Sequence, residues 1–479
     1  MVAPPLFVLP PRRGSFGRVH HRCFSPPSQR GGGKLSTKLA AQSEWRCMDP
    51  LDTISYSSHS RRPQEPSPPS KTTSTSSRLF VLCATLAAAA LLVSFIFYSI
   101  HEGHSRNSVY LLQGCLAVAL LEKSWWHYRI RQRFLAPLEA SVAAVFGSTD
   151  PERPRPDPSE YECALRCRME PKAYAVTKFT DRCMKNVRGA TVTAALVMAS
   201  TVGAVGSIIA LYTEDTVLVC AAVGCFAGVL SACFAPTPSD GVAILVHQGA
   251  LTVTAMNTMI AHYTGSETQM AILDYLFVAL AGWVIIVISR IIASKKLLEC
   301  FLMVTLDTVA LLHVTVIMME VVDFVEHPLA NNLPGELAAF FVTIACAELG
   351  HYLFDLVTTE WLSRCFRRWR YTFPRLYGAA DFVISVIFAA VGMTVWMTWL
   401  FATDTSTWNV VALLGAAALS QLGRSFMTLI HETAMAPPWN RTTYTVWNNG
   451  IMELMNPFLV GWIAFHPYAK TILEAEGGY

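Results

Sequence analysis

The stretch Ala345–Leu356 reads ACAELGHYLFDL, and it lies inside a run from 335 to 358 that is otherwise apolar. Glu348, His351 and Asp355 interrupt that run at spacings of three and four residues. Such spacings return to one face of an α-helix, so the three side chains form a single polar stripe. A run of this length matches the ~20 mostly apolar residues that cross ~30 Å of hydrocarbon. Charged groups near the centre of such a span cost ~2.5–3.5 kcal/mol each on insertion scales. The stripe must therefore face protein or water rather than acyl chains.

The same apolar signal recurs along the chain. Of its 479 residues, 53% are hydrophobic and 15% are charged, whereas soluble domains carry about 25% charge. Eleven runs are long enough to be counted: 79–100, 108–122, 189–212, 216–235, 241–263, 270–293, 297–324, 335–358, 376–402, 408–431 and 451–467. The expected fold is all-α, a polytopic transmembrane helical bundle of about eleven spans, or nine if the short second and last runs do not cross.

The remaining chain divides by composition. Residues 1–78 are rich in Pro, Ser and Arg and lack apolar periodicity, which predicts a disordered basic tail. Residues 79–122 form a predicted transmembrane hairpin, and 123–188 a cytoplasmic polar insert. Within that insert Leu135, Leu138, Val142, Val145 and Phe146 repeat at helical spacing, which predicts a short helix, interfacial or soluble. Residues 189–467 make up the main bundle, and 468–479 a short C-terminal tail.

Orientation follows from where Lys and Arg fall. The tail holds twelve, residues 123–188 thirteen, and 359–375 five. With the N-terminus cytoplasmic, these segments and Lys295, Lys296 and Arg441 all lie inside, and only Arg106 and Lys470 lie outside. Arg290 and Arg424 fall within spans. The sequon at Asn440 is then cytoplasmic and is expected to carry no glycan. A net charge of +3 is too small to predict nucleic acid as a partner. The expected partners are membrane lipids, with a small molecule or an ion as a possible substrate. The membrane is expected to be an endomembrane or the plasma membrane, with organelle targeting by the basic tail as an option.

The candidate polar site within the membrane comprises Glu348, His351, Asp355, Asp381 and Arg424. Pairing of Arg424 with Asp355 or Asp381 would lower the cost of burying each. Secondary candidates are His247, Asp307, His313 and Glu453. A structural network that fixes helix register accounts for such a stripe as readily as a functional site does. Glu-x-x-His is a metal-ligand spacing in helical bundles, but one copy with no second Glu-x-x-His, no His-x3-His and no His-Glu-x-x-His does not make a metal site. No phosphate loop, nucleophile elbow or nucleotide signature is present, so no cofactor and no catalytic residue are expected.

Gly350-His-Tyr-Leu-Phe-Asp355 resembles the Gly-Tyr-x-x-x-Asp signature of TLC-domain membrane proteins, the group that includes the ceramide synthases. "LLHVTVIMM", residues 311–319, resembles the span that precedes that signature, and Glu453-Leu-Met-Asn-Pro-Phe458 is similar to the family's Glu-Leu-Ser-x-Pro-Phe. The resemblance covers residues 300–465 and implies a protein that handles or senses lipid within the bilayer. The paired histidines that follow the signature in catalytic members are missing here, which implies that acyl transfer is absent. Secondary transport or a channel is the alternative, and an intramembrane lipid-modifying enzyme a third. A weak internal repeat sets "VGCFAGVL…SDGVAILVHQGALTV" against "LGHYLFDL…LYGAADFVISVIFAA".

Overall fold

The computed structural model describes residues 105–147, 174–177, 180, 190–213, 216–263, 273–325, 334–358, 374–400, 406–434 and 450–476. The expected tail, the first span at 79–100 and the Asn440 sequon lie outside the described residues. Every regular element among those described is helical. These are α1 Ser105–Gly147, α2 Ala190–Thr213, α3 Thr216–Cys233, α4 Pro238–Tyr263 and α5 Tyr275–Ala293. They continue as α6 Leu297–Val325, α7 Pro334–Leu356, α8 Pro374–Val395 with a π turn Trp396–Leu400, α9 Thr407–Thr433 and α10 Ile451–Glu476.

Six helices are long and apolar enough to cross a membrane, namely α2 and α5 to α9. Their outward faces carry large apolar side chains: Val197, Val205 and Ile208 on α2, Leu280, Ile285 and Ile288 on α5, and Val383, Ile387 and Val391 on α8 are all exposed. Apolar surface of this extent suits acyl chains and not water. The chain is thus an all-helical protein built to sit in a membrane.

Two boundaries differ from the sequence reading. The apolar run 108–122 stops at Glu122 and Lys123, but α1 continues unbroken to Gly147. Forty-three residues at ~1.5 Å per residue give a rod about 65 Å long. Lys123, Ser124, Trp126, His127 and Ile130 are buried on it. The start of the expected polar insert is therefore part of the bundle. At the other end α10 runs through to Glu476, so most of the expected C-terminal tail is helix.

Local chemistry sets the helix starts. Thr237 caps α4, with proline at its first helical position. The Asp240 amide donates to Thr237 Oγ1 at 3.3 Å, and the Thr237 hydroxyl donates to Asp240 Oδ2 at 2.6 Å. Asp274 caps α5 by accepting from the Leu276 amide at 2.9 Å. The start of α10 is capped from another helix, since the Met452 amide donates to Glu122 Oε2 at 3.0 Å. Gly450, just before it, has φ 88°, and a Cβ there would collide with the Glu122 carboxylate. Both backbone and space reserve that position for glycine.

Helix α7 packs along α8, α9 along α10, α2 along α3, and α3 along α4, while α1 touches α3, α4, α6 and α10. Glycine permits the closest approaches. A Cβ at Gly224 of α3 would meet Thr252 of α4, and one at Gly350 of α7 would meet Phe388 of α8. These two glycines are aligned in the weak repeat, and each sits where its helix closely approaches the next. An aromatic cluster joins α6, α7 and α10. Phe340 stacks on Phe465 at 4.7 Å, and Phe324 meets Trp462 edge-on at 5.1 Å.

Candidate functional site

The stripe on α7 meets protein at each residue. The Glu348 carboxylate forms an ion pair with Arg424 of α9 and accepts from Gln421 Nε2 at 3.2 Å. Arg424 also lies over the Tyr352 ring, 5.2 Å from its centroid, which adds a cation–π contact. His351 Nδ1 lies 2.8 Å from both carboxylate oxygens of Asp381 on α8. At the end of the stripe, the Tyr377 hydroxyl reaches Asp355 at 3.5 Å and Thr358 Oγ1 at 2.7 Å. The expectation that Arg424 pairs with Asp355 or Asp381 is therefore corrected. It pairs with Glu348, two turns nearer mid-helix than Asp355, and Asp381 is taken by His351.

Arg424 has a second face. With Met427, Thr428 and His431 of α9, and Glu453, Asn456 and Pro457 of α10, it lines a small cleft. One wall thus carries a guanidinium and an imidazole, and the other a carboxylate, with apolar Met427 and Pro457 between. His431 is held edge-on by Trp126 of α1, with ring centroids 4.6 Å apart. Glu453, a secondary candidate, joins the site here. In this way Tyr352 of α7 and Glu453, Asn456 and Pro457 of α10 all come to Arg424.

The other secondary candidates form a separate cluster around α1, α4, α5 and α6. Arg290 donates from Nε to Asp307 Oδ2 at 2.6 Å and from a terminal nitrogen to Oδ1 at 3.2 Å. Its other terminal nitrogen lies 2.8 Å from Asp240 Oδ1 and donates to Ser239 Oγ at 3.1 Å. His127 Nδ1 lies 3.4 Å from Asp307 Oδ1. His247 Nδ1 and the Thr315 hydroxyl are 3.0 Å apart. Lys123 Nζ and His313 Nδ1 are 3.4 Å apart. Nearby, Arg131 pairs with Glu299. His313 and Glu320 share a face only if α6 is regular. A π turn, Leu311–Val316, breaks that register, and Glu320 instead accepts from the Tyr275 hydroxyl at 3.1 Å.

Sequence reasoning missed Lys123, His127 and Asp240, and placed Arg290 in a span without a partner. The available signal was Arg290 itself, since an arginine inside a span demands a nearby carboxylate. Lys123 and His127 were hidden by ending the second span at its first charge. Among the described residues no group of three His, Cys, Asp or Glu side chains is placed to hold a metal ion.

No protein-family model matches the chain. Neither a curated protein nor a solved structure is significantly similar to it.

Proposed function

We propose that this chain is an integral membrane protein of about eleven spans, its N-terminus cytoplasmic, that handles or senses membrane lipid without catalysing a reaction. The carrying observation is the cleft between α9 and α10. In the proposed orientation α9 ends and α10 begins on the cytoplasmic side, so His431 and Glu453 lie near the level of lipid headgroups and Arg424 about two turns deeper. The cleft is too small to enclose a headgroup, but a guanidinium on one wall and a carboxylate on the other would meet the phosphate and ammonium of a headgroup resting at its mouth. Arginine matches phosphate geometry, and the carboxylate matches a cation. The likeness of residues 350–355 and 453–458 to TLC-domain motifs supports the same reading, since both flank Arg424. The missing histidine pair supports a non-catalytic role. An endomembrane or the plasma membrane is the proposed location.

The test is lipid analysis of the full-length protein purified in mild detergent. One phosphate-bearing class should be enriched over its share of the source membrane. Glu453→Gln combined with Glu348→Gln and Arg424→Gln, which strands no charge of the Glu348–Arg424 pair, should remove that enrichment while the protein stays monodisperse. Recovery of lipids in bulk proportion from the wild type refutes the proposal.

The second reading is ion- or proton-coupled transport, with Glu348, His351, Asp355 and Arg424 along the pathway. It is favoured by the second buried charged cluster on α1, α4, α5 and α6, which lipid binding alone does not require. Flux in proteoliposomes that is lost in Glu348→Gln, with expression retained, would support it.

A further inference from the structure

Lys123 is 2% exposed, and no carboxylate of the described residues lies within ion-pair distance of its nitrogen. Its polar neighbour is the ring of His313, 3.4 Å away at Nδ1. A buried ammonium without a carboxylate partner is costly. An imidazole nitrogen accepts from an ammonium only when it carries no proton, and donates to a lysine only when the amine is neutral. In the first case the pair carries one positive charge and in the second none, so the two arrangements differ by one proton.

The surrounding charges count the same way. Asp240, Asp307 and Arg290 are joined in one buried network and together carry one negative charge. A single proton on the Lys123–His313 pair brings the set to neutrality. A second proton would place two cations 3.4 Å apart, and loss of the first would leave a buried net charge. Other ionisable groups surround the pair. Helix α1 itself adds Glu122, which caps α10, and His127, which faces Asp307. Helix α4 adds His247, bonded to Thr315, and α9 adds His431, packed on Trp126. Helix α10 adds Glu453 beside Glu122. Packed helix α3 presents Cys220 to Gln113 of α1.

Two further features distinguish this pair from an inert contact. His313 and Thr315 both lie in the π turn of α6, an irregularity often found at functional sites. Beside His313 lies Asn456, which lines the cleft next to Arg424 and Glu453.

We propose that Lys123 and His313 form a reversible proton-binding site whose occupancy sets the conformation of the π turn in α6, and through Asn456 reaches the α9–α10 cleft. The ligand is a proton, taken up and released by the pair as a unit. The site stands whether or not the cleft holds lipid.

The experiment is amide hydrogen exchange of residues 311–316 in the full chain in lipid nanodiscs, corrected for intrinsic rates, between about pH 5 and pH 9. The wild type should show a single sigmoidal change in protection. Lys123→Arg retains the charge but cannot release its proton, so the change should vanish while the helices flanking the turn keep their protection. His313→Gln removes one of the two proton holders and should displace the midpoint by about one pH unit or more. A flat wild-type profile overturns the proposal, and so does an unchanged transition in Lys123→Arg. Should Lys123→Arg fail to fold, an unshifted transition in His313→Gln overturns it instead.

Discussion

The Glu348–Arg424 pair supplies a double-mutant cycle whose outcome the structure fixes. Both side chains are 12% exposed, so each charge relies on the other. Glu348→Gln leaves the guanidinium over Tyr352 with a neutral amide, which retains room for the Gln421 bond but supplies no charge. Arg424→Gln leaves a buried carboxylate with Gln421 as its donor. Stranding one partner of a buried pair costs about 3–5 kcal/mol. Removing both charges leaves two amides and Gln421 close enough to bond one another, and a double neutral replacement of this kind is often near neutral. The double variant should therefore lie within about 1 kcal/mol of wild type, and the coupling energy should reach ~5 kcal/mol or more, above the usual range for contacting residues. The assay is reversible unfolding in mixed micelles, read by far-UV circular dichroism. Additive single costs, with the double variant the least stable of the four, would refute the inference that these charges are tolerated only through each other.

Asp307→Asn removes the bidentate acceptor of Arg290 and should cost about 3 kcal/mol, with exchange protection lost first where α5 meets α6. Gly450→Ala forces a side chain into a left-handed backbone at a cost of about 1–2 kcal/mol. It also displaces Glu122, so protection of the first turn of α10 should fall while that of α5 holds. For topology, a cysteine at Lys470 should react with a membrane-impermeant maleimide from outside the cell and one at Lys296 only after permeabilisation, with Asn440 free of glycan. The reverse labelling would invert the orientation.

What the sequence made legible is the stripe and the scaffold that carries it. Glu348, His351 and Asp355 had to find protein partners because their neighbours on α7 are apolar, and each does. Apolar runs located α2 to α9 within a few residues, since the polar and turn-forming residues between the runs end each helix. Partner choice was not legible. Whether Arg424 meets Glu348 or Asp381 depends on where α9 crosses α7, and that is set by contacts such as the buried cluster of Ala347, Ala389 and Ala417, which have no periodic signature. The Arg290 network was hidden for a different reason. Apart from Asp307 in the middle of α6, its members come from the start of α4, the end of α5 and the extension of α1, at the edges of runs or beyond them. The π turn left no mark in "LLHVTV", where His313 looks like one more helix position.

The most direct measurement is an electron-microscopy map of the full chain in lipid nanodiscs that resolves the acyl-chain belt. The account predicts a belt against Leu280, Ile288, Val383 and Ile387, Glu348 and Arg424 turned inward onto each other, and headgroup density at the mouth of the cleft beside Glu453. Glu348 or Arg424 directed into the acyl chains would contradict it, as would a belt that leaves those apolar faces in water.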